Sequence, residues 1–351
     1  MPEPPETTKM AVDQREHVDS PMEAQVQRLA EKVWKKYQSL DDSQRYLVAI
    51  AGIPGSGKTT FAASLAYHLN KFYQADRHEK YPNSADYHLS RPRANTNGSS
   101  RERHFSDPNS PDIAYVLPMD GFHLTRAQLT AMPNSEEAHY RRGAAFTFDS
   151  EGYYKLIEKL RKPIEPTTAT IWAPSFDHAV KDPVENDIPI PRTARVVLIE
   201  GLYTALSYTA PKTESPSTDT KAAVPSAWSK ACHLMDEIWL ISVPIPVATE
   251  RVAKRNFKAG LSPSLEAALD RTVNNDMKNA REILDNLPKD GQLTETIESV
   301  EDEGWKTQEQ KLALEDASGE KNGQHKAGEV QRLKMERMGS IAEMADAGVG
   351  L

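Results

Sequence analysis

The stretch Gly52-Ile53-Pro54-Gly55-Ser56-Gly57-Lys58-Thr59 fits the pattern G-x-x-x-x-G-K-[ST], which is typical of loops that bind nucleotide phosphates. The apolar run from Tyr46 to Ile50 precedes it and predicts a buried strand, and the run from Thr59 to Ala66 predicts a helix. Strand, glycine loop and helix in this order are the structural context that the pattern requires. The sequence therefore predicts that the chain binds a nucleoside triphosphate.

Each residue type in this loop has a physical role toward a nucleotide. Glycines let successive backbone N–H groups turn toward phosphate oxygens, and the N-terminus of the following helix adds a partial positive charge. Lys58 is expected to reach the β- and γ-phosphates, and the Thr59 hydroxyl is expected to hold Mg²⁺. The predicted ATP-binding residues are Gly52, Ile53, Pro54, Gly55, Ser56, Gly57, Lys58, Thr59 and Thr60.

Composition indicates a soluble protein that binds neither nucleic acid nor a membrane. The 351 residues carry a net charge of -8, which argues against a nucleic-acid binder held by phosphate neutralisation. Cys232 is the one cysteine, so an internal disulfide and a multi-cysteine metal site are excluded. No apolar run approaches the roughly 20 residues of a membrane helix, and the acidic, proline-rich N-terminus is unlike a signal peptide. We expect a cytoplasmic protein.

The pattern along the chain predicts one ordered domain with disordered additions. A mean hydropathy of -0.63 is low for a wholly folded chain, so tails and insertions are expected. We expect a disordered N-terminus at 1–20, an ordered domain at 21–305 and a charged, flexible tail at 306–351. Polar stretches at 75–112 and 211–226 are predicted to be insertions within the domain.

Apolar runs and helical periodicity predict a three-layer α/β fold. Besides the first strand, runs of apolar residues predict strands over 113–119, 194–199, 236–243 and 294–300. Helices are predicted from Pro21, over Glu151–Leu160, over Pro246–Lys258, and from an N-cap at Ser262 to about Leu287. The rest of the region between 120 and 192 is mixed and rich in loops. Alternating strands and helices favour a P-loop NTPase fold in which a five-stranded parallel sheet has helices on both faces.

Charged residues follow three of the predicted strands. Asp120 follows the second strand, Glu200 follows the third, and Arg251 and Arg255 lie at i and i+4 on the helix after the fourth. Parallel sheets form their sites at the carboxyl ends of the strands. Phosphoryl transfer needs a carboxylate for the acceptor proton, Mg²⁺ at the phosphates and cations over the transferring group. Asp120 fits the base, Glu200 fits the Mg²⁺ shell beside Thr59, and the two arginines fit a phosphate clamp.

Each of these assignments has a purely structural alternative. Asp120 could cap the turn after its strand, since Asp before Gly is common turn chemistry. Glu200 could simply end its strand, and the two arginines could lie on a solvated helix face. His123 fits a substrate contact and a packing role equally well.

Five further segments resemble, in this order, the uridine kinase, phosphoribulokinase and bacterial pantothenate kinase group. The resemblance covers about 45–302 and is nearest to a bacterial and fungal branch of that group. The segments are Pro118–His123, Arg141–Asp149, Pro174–His178, Val197–Gly201 and Arg271–Ala280.

The resemblance implies ATP-dependent phosphorylation of a hydroxyl on a small metabolite, with ATP and Mg²⁺ as cofactors. It implies that Asp120 is the catalytic base, that Glu200 lies near the metal, and that Arg251 and Arg255 belong to a lid over the phosphates. The residues that it assigns to acceptor binding are His123, Arg141, Phe148, Asp149, Asp177 and His178. The residues after Arg141-Arg142-Gly143 match neither uridine kinase nor pantothenate kinase, so a nucleoside, a sugar and a pantothenate-like alcohol all remain open as acceptor.

A second function class is a P-loop ATPase or nucleotide-dependent switch that acts on a protein partner. The insertions and the charged tail would suit such a partner. The chain has no Asn-Lys-x-Asp segment of the kind that regulatory GTPases use to read guanine. Asp120 and the Arg141–Asp149 segment favour the kinase, because a switch needs no base for an acceptor hydroxyl. A homodimer is left open.

Overall fold

The computed structural model describes residues 20–80, 112–207, 226–289 and 291–300. The expectations for the N-terminus up to residue 19, for most of both insertions and for the tail fall outside the described residues.

Seven strands occur in the described ranges, and five of them form one parallel sheet. The strands are β1 Tyr46–Gly52, β2 Ala114–Pro118, β3 Ile171–Asp177, β4 Asp182–Ile190, β5 Val196–Gly201, β6 Glu237–Ser242 and β7 Leu293–Glu298. The sheet has the order β2-β5-β1-β6-β7, and every neighbouring pair is parallel. The predicted five-stranded parallel sheet is confirmed.

Helices cover both faces of this sheet and complete the three layers. The helices of the described ranges are α1 Pro21–Gln38, α2 Lys58–Lys80, α3 Arg126–Thr130, α4 Ser135–Tyr140, α5 Ser150–Arg161, α6 Ser226–Cys232, α7 Ile245–Lys258, α8 Leu265–Arg271 and α9 Met277–Asp285. Apolar side chains of α1 and α2 pack in one core, and those of α5, α6 and α9 pack in another. The predicted α/β class is therefore confirmed.

The central strand β1 is buried along its whole length. Tyr46, Val48 and Ile50 belong to the core with α1 and α2, whereas Leu47 belongs to the core on the opposite face. Successive side chains of a strand point to opposite faces, so a strand covered on both faces is apolar at every position. This explains why the sequence shows a continuous apolar run before the glycine loop.

Three elements differ from the sequence-based expectation. Helix α2 continues to Lys80 and so includes the start of the predicted insertion, with an ion pair of 2.9 Å between Asp76 and Lys80 in its last turns. An antiparallel hairpin, β3–β4, lies in the region expected to be loop-rich. Its strands contain Pro174, Pro183 and Pro189, which obscure the strand pattern in the sequence.

The predicted long helix after residue 262 is wrong in its start and its continuity. Ser264, not Ser262, is the N-cap, because its hydroxyl accepts a hydrogen bond of 3.1 Å from the Ala267 N–H. A π-helical segment, Thr272–Asp276, then separates α8 from α9. The sequence pattern of a π segment is the same as that of an ordinary helix, so periodicity did not reveal it.

Asn70 of α2 protects the outer edge of the sheet. Its Nδ2 donates to the Ala114 carbonyl at 3.1 Å, and its Oδ1 accepts from the N–H groups of Ile113 at 3.0 Å and Ala114 at 2.9 Å. Strand β2 is the edge strand of the sheet, so within the described residues these backbone groups have no neighbouring strand on that side. The side-chain amide of Asn70 replaces that strand at one position.

We predict that Asn70→Ala lowers the free energy of unfolding by about 2–4 kcal/mol, because buried backbone groups lose their partners. Urea denaturation followed by circular dichroism measures this change. The matched control is Glu79→Ala on the same helix, which is exposed and should shift stability by less than about 0.5 kcal/mol. Equal stability of the two variants would contradict the role assigned to Asn70.

Candidate active site

The glycine loop between β1 and α2 adopts a conformation that requires glycine. Gly55 and Gly57 have φ values of 82° and 85°, in the left-handed region that side chains disfavour. A Cβ atom on Gly55 would also lie 2.9 Å from the Ala248 carbonyl oxygen of α7. The loop leads directly into the N-terminus of α2, where backbone N–H groups and the helix dipole favour an anion.

A cleft of about 470 Å³ lies at the carboxyl ends of the central strands. Lys58 and Thr59 of α2 line it beside the glycine loop, Asp120 lines it just after the end of β2, and Glu200 lines it from β5. Arg255 of α7 also lines the cleft. The predicted phosphate-binding lysine and the predicted base thus share one cavity.

Glu200 lies directly beside the predicted Mg²⁺ ligand Thr59. The Thr59 Oγ1 donates to Glu200 Oε1 at 3.2 Å. Burial raises the pKa of the Glu200 carboxyl to about 7, the charge of Lys58 lowers it, and the nearby Asp120 raises it. A hydroxyl and a carboxylate oxygen at this distance are ligands of the kind that Mg²⁺ prefers.

No group of three or more His, Cys, Asp or Glu side chains suited to a metal ion occurs in the described ranges. In kinases, Mg²⁺ takes only one or two protein oxygens, since phosphate oxygens and water complete its shell. The pair of Thr59 and Glu200 fits that mode of binding.

Asp120 lies on a short 3₁₀ helix, Met119–Phe122, that follows β2. The next residue, Gly121, packs against the hairpin, where an added Cβ would lie 2.1 Å from the Pro174 carbonyl oxygen. His123 donates from Nδ1 to the Asp120 carbonyl at 2.7 Å, and burial lowers its pKa. The imidazole is therefore neutral at neutral pH and presents an aromatic surface to the cleft.

Aromatic rings and one arginine form the wall of the cleft that lies beyond Asp120. The His123 ring centroid is 4.0 Å from that of Phe148 and 4.8 Å from that of Phe176. The Arg142 guanidinium lies 5.5 Å from the Phe176 centroid and pairs with Asp182 at 2.9 Å. This wall combines flat apolar surface with polar groups, as small-molecule pockets commonly do.

The structure brings most of the predicted site residues to the cleft. The predicted residues that line it are Pro54, Lys58, Thr59, Asp120, His123, Phe148, His178, Glu200 and Arg255. The rest of the glycine loop lies between β1 and α2 directly beside them.

Apart from the remaining ATP-binding residues between Gly52 and Thr60, four predicted site residues lie outside the cleft lining. Arg251 donates to the Gly55 carbonyl at 3.3 Å and so supports the glycine loop from behind, and Arg141 donates to Asn279 Oδ1 at 2.7 Å. Asp149 is the N-cap of α5, and Asp177 accepts from backbone N–H groups in the hairpin turn. Their functional roles stay predictions.

Several cleft residues were not assigned a role from the sequence. They are Arg142, Gly143, Ser175, Phe176, Asp276 and Asn279. Asp276 and Asn279 are three residues apart, and this spacing places them on one face of a helix. That spacing was the available signal, but the sequence does not show that this face points toward the cleft.

The fold and the glycine loop define a P-loop nucleotide-binding protein. Its cleft extends beyond Asp120 to the aromatic wall. No protein-family model matches the sequence. The ATP-dependent kinase-like protein notR' of Aspergillus versicolor is 43% identical over 168 residues, which are 48% of this chain and 88% of that protein. A candidate uridine kinase of Schizosaccharomyces pombe is 32% identical over 240 residues, 68% of this chain and 78% of that protein.

Solved structures show the same fold. YFH7 of Saccharomyces cerevisiae is described as a candidate P-loop containing kinase with a circular permutation. It matches with a TM-score of 0.60 at 24% identity over 79% of this chain and 99% of that chain. A candidate fructose transport system kinase of Silicibacter sp. TM1040 matches with a TM-score of 0.52 at 27% identity over 77% and 98%. The chain belongs to the uridine kinase-like group of P-loop kinases.

Within residues 20–80, 112–207, 226–289 and 291–300, no helix has the length and apolar composition that a membrane crossing needs.

We predict that Gly55→Ala weakens ATP binding by about tenfold or more, since the left-handed φ and the contact with Ala248 both oppose a side chain. Isothermal titration with ATP measures the effect. The matched control is Gly260→Ala, because Gly260 has a φ of 69° but an added Cβ there meets nothing within 4 Å. Equal loss of ATP affinity in both variants would mean that Gly55 has no special part in the nucleotide site.

Proposed function

We propose that the protein transfers the γ-phosphoryl group of Mg-ATP to a hydroxyl group of a small metabolite. The observation that carries this proposal is that Lys58, at the end of the glycine loop, and Asp120, on the 3₁₀ helix after β2, line one cleft of about 470 Å³. A nucleotide on the glycine loop would thus place its terminal phosphate in the same cavity as a carboxylate. The membership in a kinase group supports the reaction type.

The donor side of the proposed reaction uses charge and position. The loop N–H groups and Lys58 would hold the β- and γ-phosphates, and Arg255 would neutralise charge on the transferring group. Thr59 and Glu200 would hold Mg²⁺, and the ion would supply positive charge that neutralises the phosphates. Arg251 would act indirectly, since its contact is with the carbonyl of Gly55 in the loop.

On the acceptor side, the Asp120 carboxylate would accept the proton of the substrate hydroxyl. The hydroxyl oxygen forms a bond to the γ-phosphorus while the bond from phosphorus to the bridging oxygen of ADP breaks. The proton passes to Asp120, so charge does not accumulate on the acceptor oxygen. A bound acceptor would displace water from this position, which would limit simple hydrolysis of ATP.

The names of two similar proteins indicate which classes of acceptor to test first. The S. pombe relative is named for uridine and the Silicibacter structure for fructose transport, so nucleosides and sugars belong in the first test. Pantothenate-like alcohols complete the set, because one branch of the resembling group uses them.

We predict that Asp120→Asn lowers acceptor-dependent turnover by roughly 10²–10⁴-fold while the affinity for ATP stays unchanged. The measurement is ADP release from Mg-ATP across nucleosides, sugars and pantothenate-like alcohols. The matched control, Asp285→Asn, changes an exposed aspartate at the end of α9 and should keep wild-type turnover.

Two results would contradict this assignment. Full turnover in a folded Asp120→Asn variant would remove Asp120 from the role of base. ADP release that needs no acceptor, and that is the same in wild type and variant, would instead support the ATPase or switch that acts on a protein partner.

A further inference from the structure

Acidic side chains and lysine or arginine side chains line the cleft in equal number, but they differ in whether they already have a partner. Three carboxylates line it, on Asp120, Glu200 and Asp276, and the lysine and arginine residues that line it are Lys58, Arg142 and Arg255. The charge that remains for an acceptor depends on which of these cations already have a partner.

Among the three cations, Lys58 and Arg255 belong to the donor side of the proposed function. The Arg142 guanidinium is held in an ion pair, because its Nη2 lies 2.9 Å from Asp182 Oδ1, a carboxylate that it shares with the exposed Arg126. The same guanidinium also donates to the carbonyls of Leu124 and Lys181. Only its Nε is buried without a partner, and this single N–H can donate to a neutral oxygen.

Asp276 has no comparable partner. It ends the π-helical segment Thr272–Asp276 between α8 and α9, and π segments frequently occur at functional sites. Burial raises the pKa of its carboxyl, whereas the charges of Arg255 and Arg271 lower it. Within the described part of the chain, no side chain of another residue donates a hydrogen bond to this carboxylate.

The surroundings of Asp276 are suited to hydroxyl groups. A carboxylate without a hydrogen-bond donor accepts readily from O–H groups and is destabilised when another anion comes close. Asn279, one helical turn later, also lines the cleft and is held by Arg141. Phe148 and His123 line the same cavity, and their packed rings give it an apolar surface that suits the C–H face of a ring.

We propose that the acceptor is an uncharged polyhydroxy compound whose hydroxyl groups donate to Asp276, and that this carboxylate selects against phosphorylated or carboxylated acceptors. The inference rests on the proposed function, because it concerns the acceptor of that same reaction. It names Asp276 as a residue that determines specificity, separate from the base Asp120.

A different role for Asp276 makes a different prediction. If its charge only positions Arg255, the substitution Asp276→Asn changes the rate for every acceptor by the same factor. If Asp276 selects by charge, the substitution changes the ratio between charged and neutral acceptors. The ratio of kcat/KM values within matched pairs therefore distinguishes the two roles.

The experiment uses two pairs of compounds, each with an uncharged and an anionic member: D-ribulose with D-ribulose 5-phosphate, and pantothenol with pantothenate. Transfer of labelled phosphate from ATP is measured for the full-length wild type, Asp276→Asn and the control Asp270→Asn, an exposed aspartate of α8. We expect wild type to prefer the neutral member at least tenfold. We expect Asp276→Asn to reduce that preference about tenfold and Asp270→Asn to keep it.

The possible results separate this inference from the proposed function. Preference for the anionic members, or the same preference in wild type and Asp276→Asn, overturns the inference while Asp120-dependent transfer leaves the proposed function standing. No transfer to any compound of either charge in these pairs or in the wider acceptor set overturns both. Should Asp276→Asn fail to fold, Asp276→Glu keeps the charge and must keep the neutral preference.

Discussion

The register of β5 between its two neighbours determines where the site residues meet. Glu200 lies opposite Ile50 of β1 and opposite Pro118 of β2. The glycine loop begins two residues after Ile50, and Asp120 follows two residues after Pro118. A slip of β5 by one residue would turn Glu200 to the other face of the sheet and bring Ile199 or Gly201 into its place. The position of the cleft is therefore a consequence of strand pairing. The loops that carry the glycine motif and Asp120 begin at points that this pairing fixes.

Two glycines of the strand-end segments allow the layers around this register to come close. A Cβ atom on Gly121 would lie 2.1 Å from the Pro174 carbonyl oxygen, and one on Gly201 would lie 2.4 Å from Met119 Cβ. The first contact brings the hairpin to Asp120, and the second brings the 3₁₀ helix to the end of β5. Because backbone and side-chain atoms fill these positions, Asp120 and Glu200 are both held at the carboxyl end of the sheet. The aromatic wall lines the same cleft.

The sequence predicted the features that depend on local patterns. Buried parallel strands are continuous apolar runs, and the glycine loop is a contiguous motif, so the sheet and the nucleotide end of the cleft could be found without a structure. Features that depend on distant partners could not. The charge of Arg142 is met by Asp182, forty positions later, and the orientation of Asp276 depends on a π segment with ordinary helical sequence. The hairpin was missed because three prolines interrupt its alternation. Thus the nucleotide end of the cleft could largely be predicted from local sequence motifs. The acceptor end could be predicted only from the resemblance to a kinase group.

In the proposed reaction, one cleft holds both the nucleotide and the acceptor, and Asp120 lies between them. The most direct measurement is a crystal structure of the protein with Mg²⁺, a non-hydrolysable ATP analogue and the acceptor identified by phosphate transfer. We expect a carboxylate oxygen of Asp120 within about 2.6–3.2 Å of the accepting hydroxyl, and we expect that hydroxyl to face the γ-phosphate. An acceptor bound away from Asp120, with the nucleotide correctly seated on the glycine loop, would contradict this arrangement.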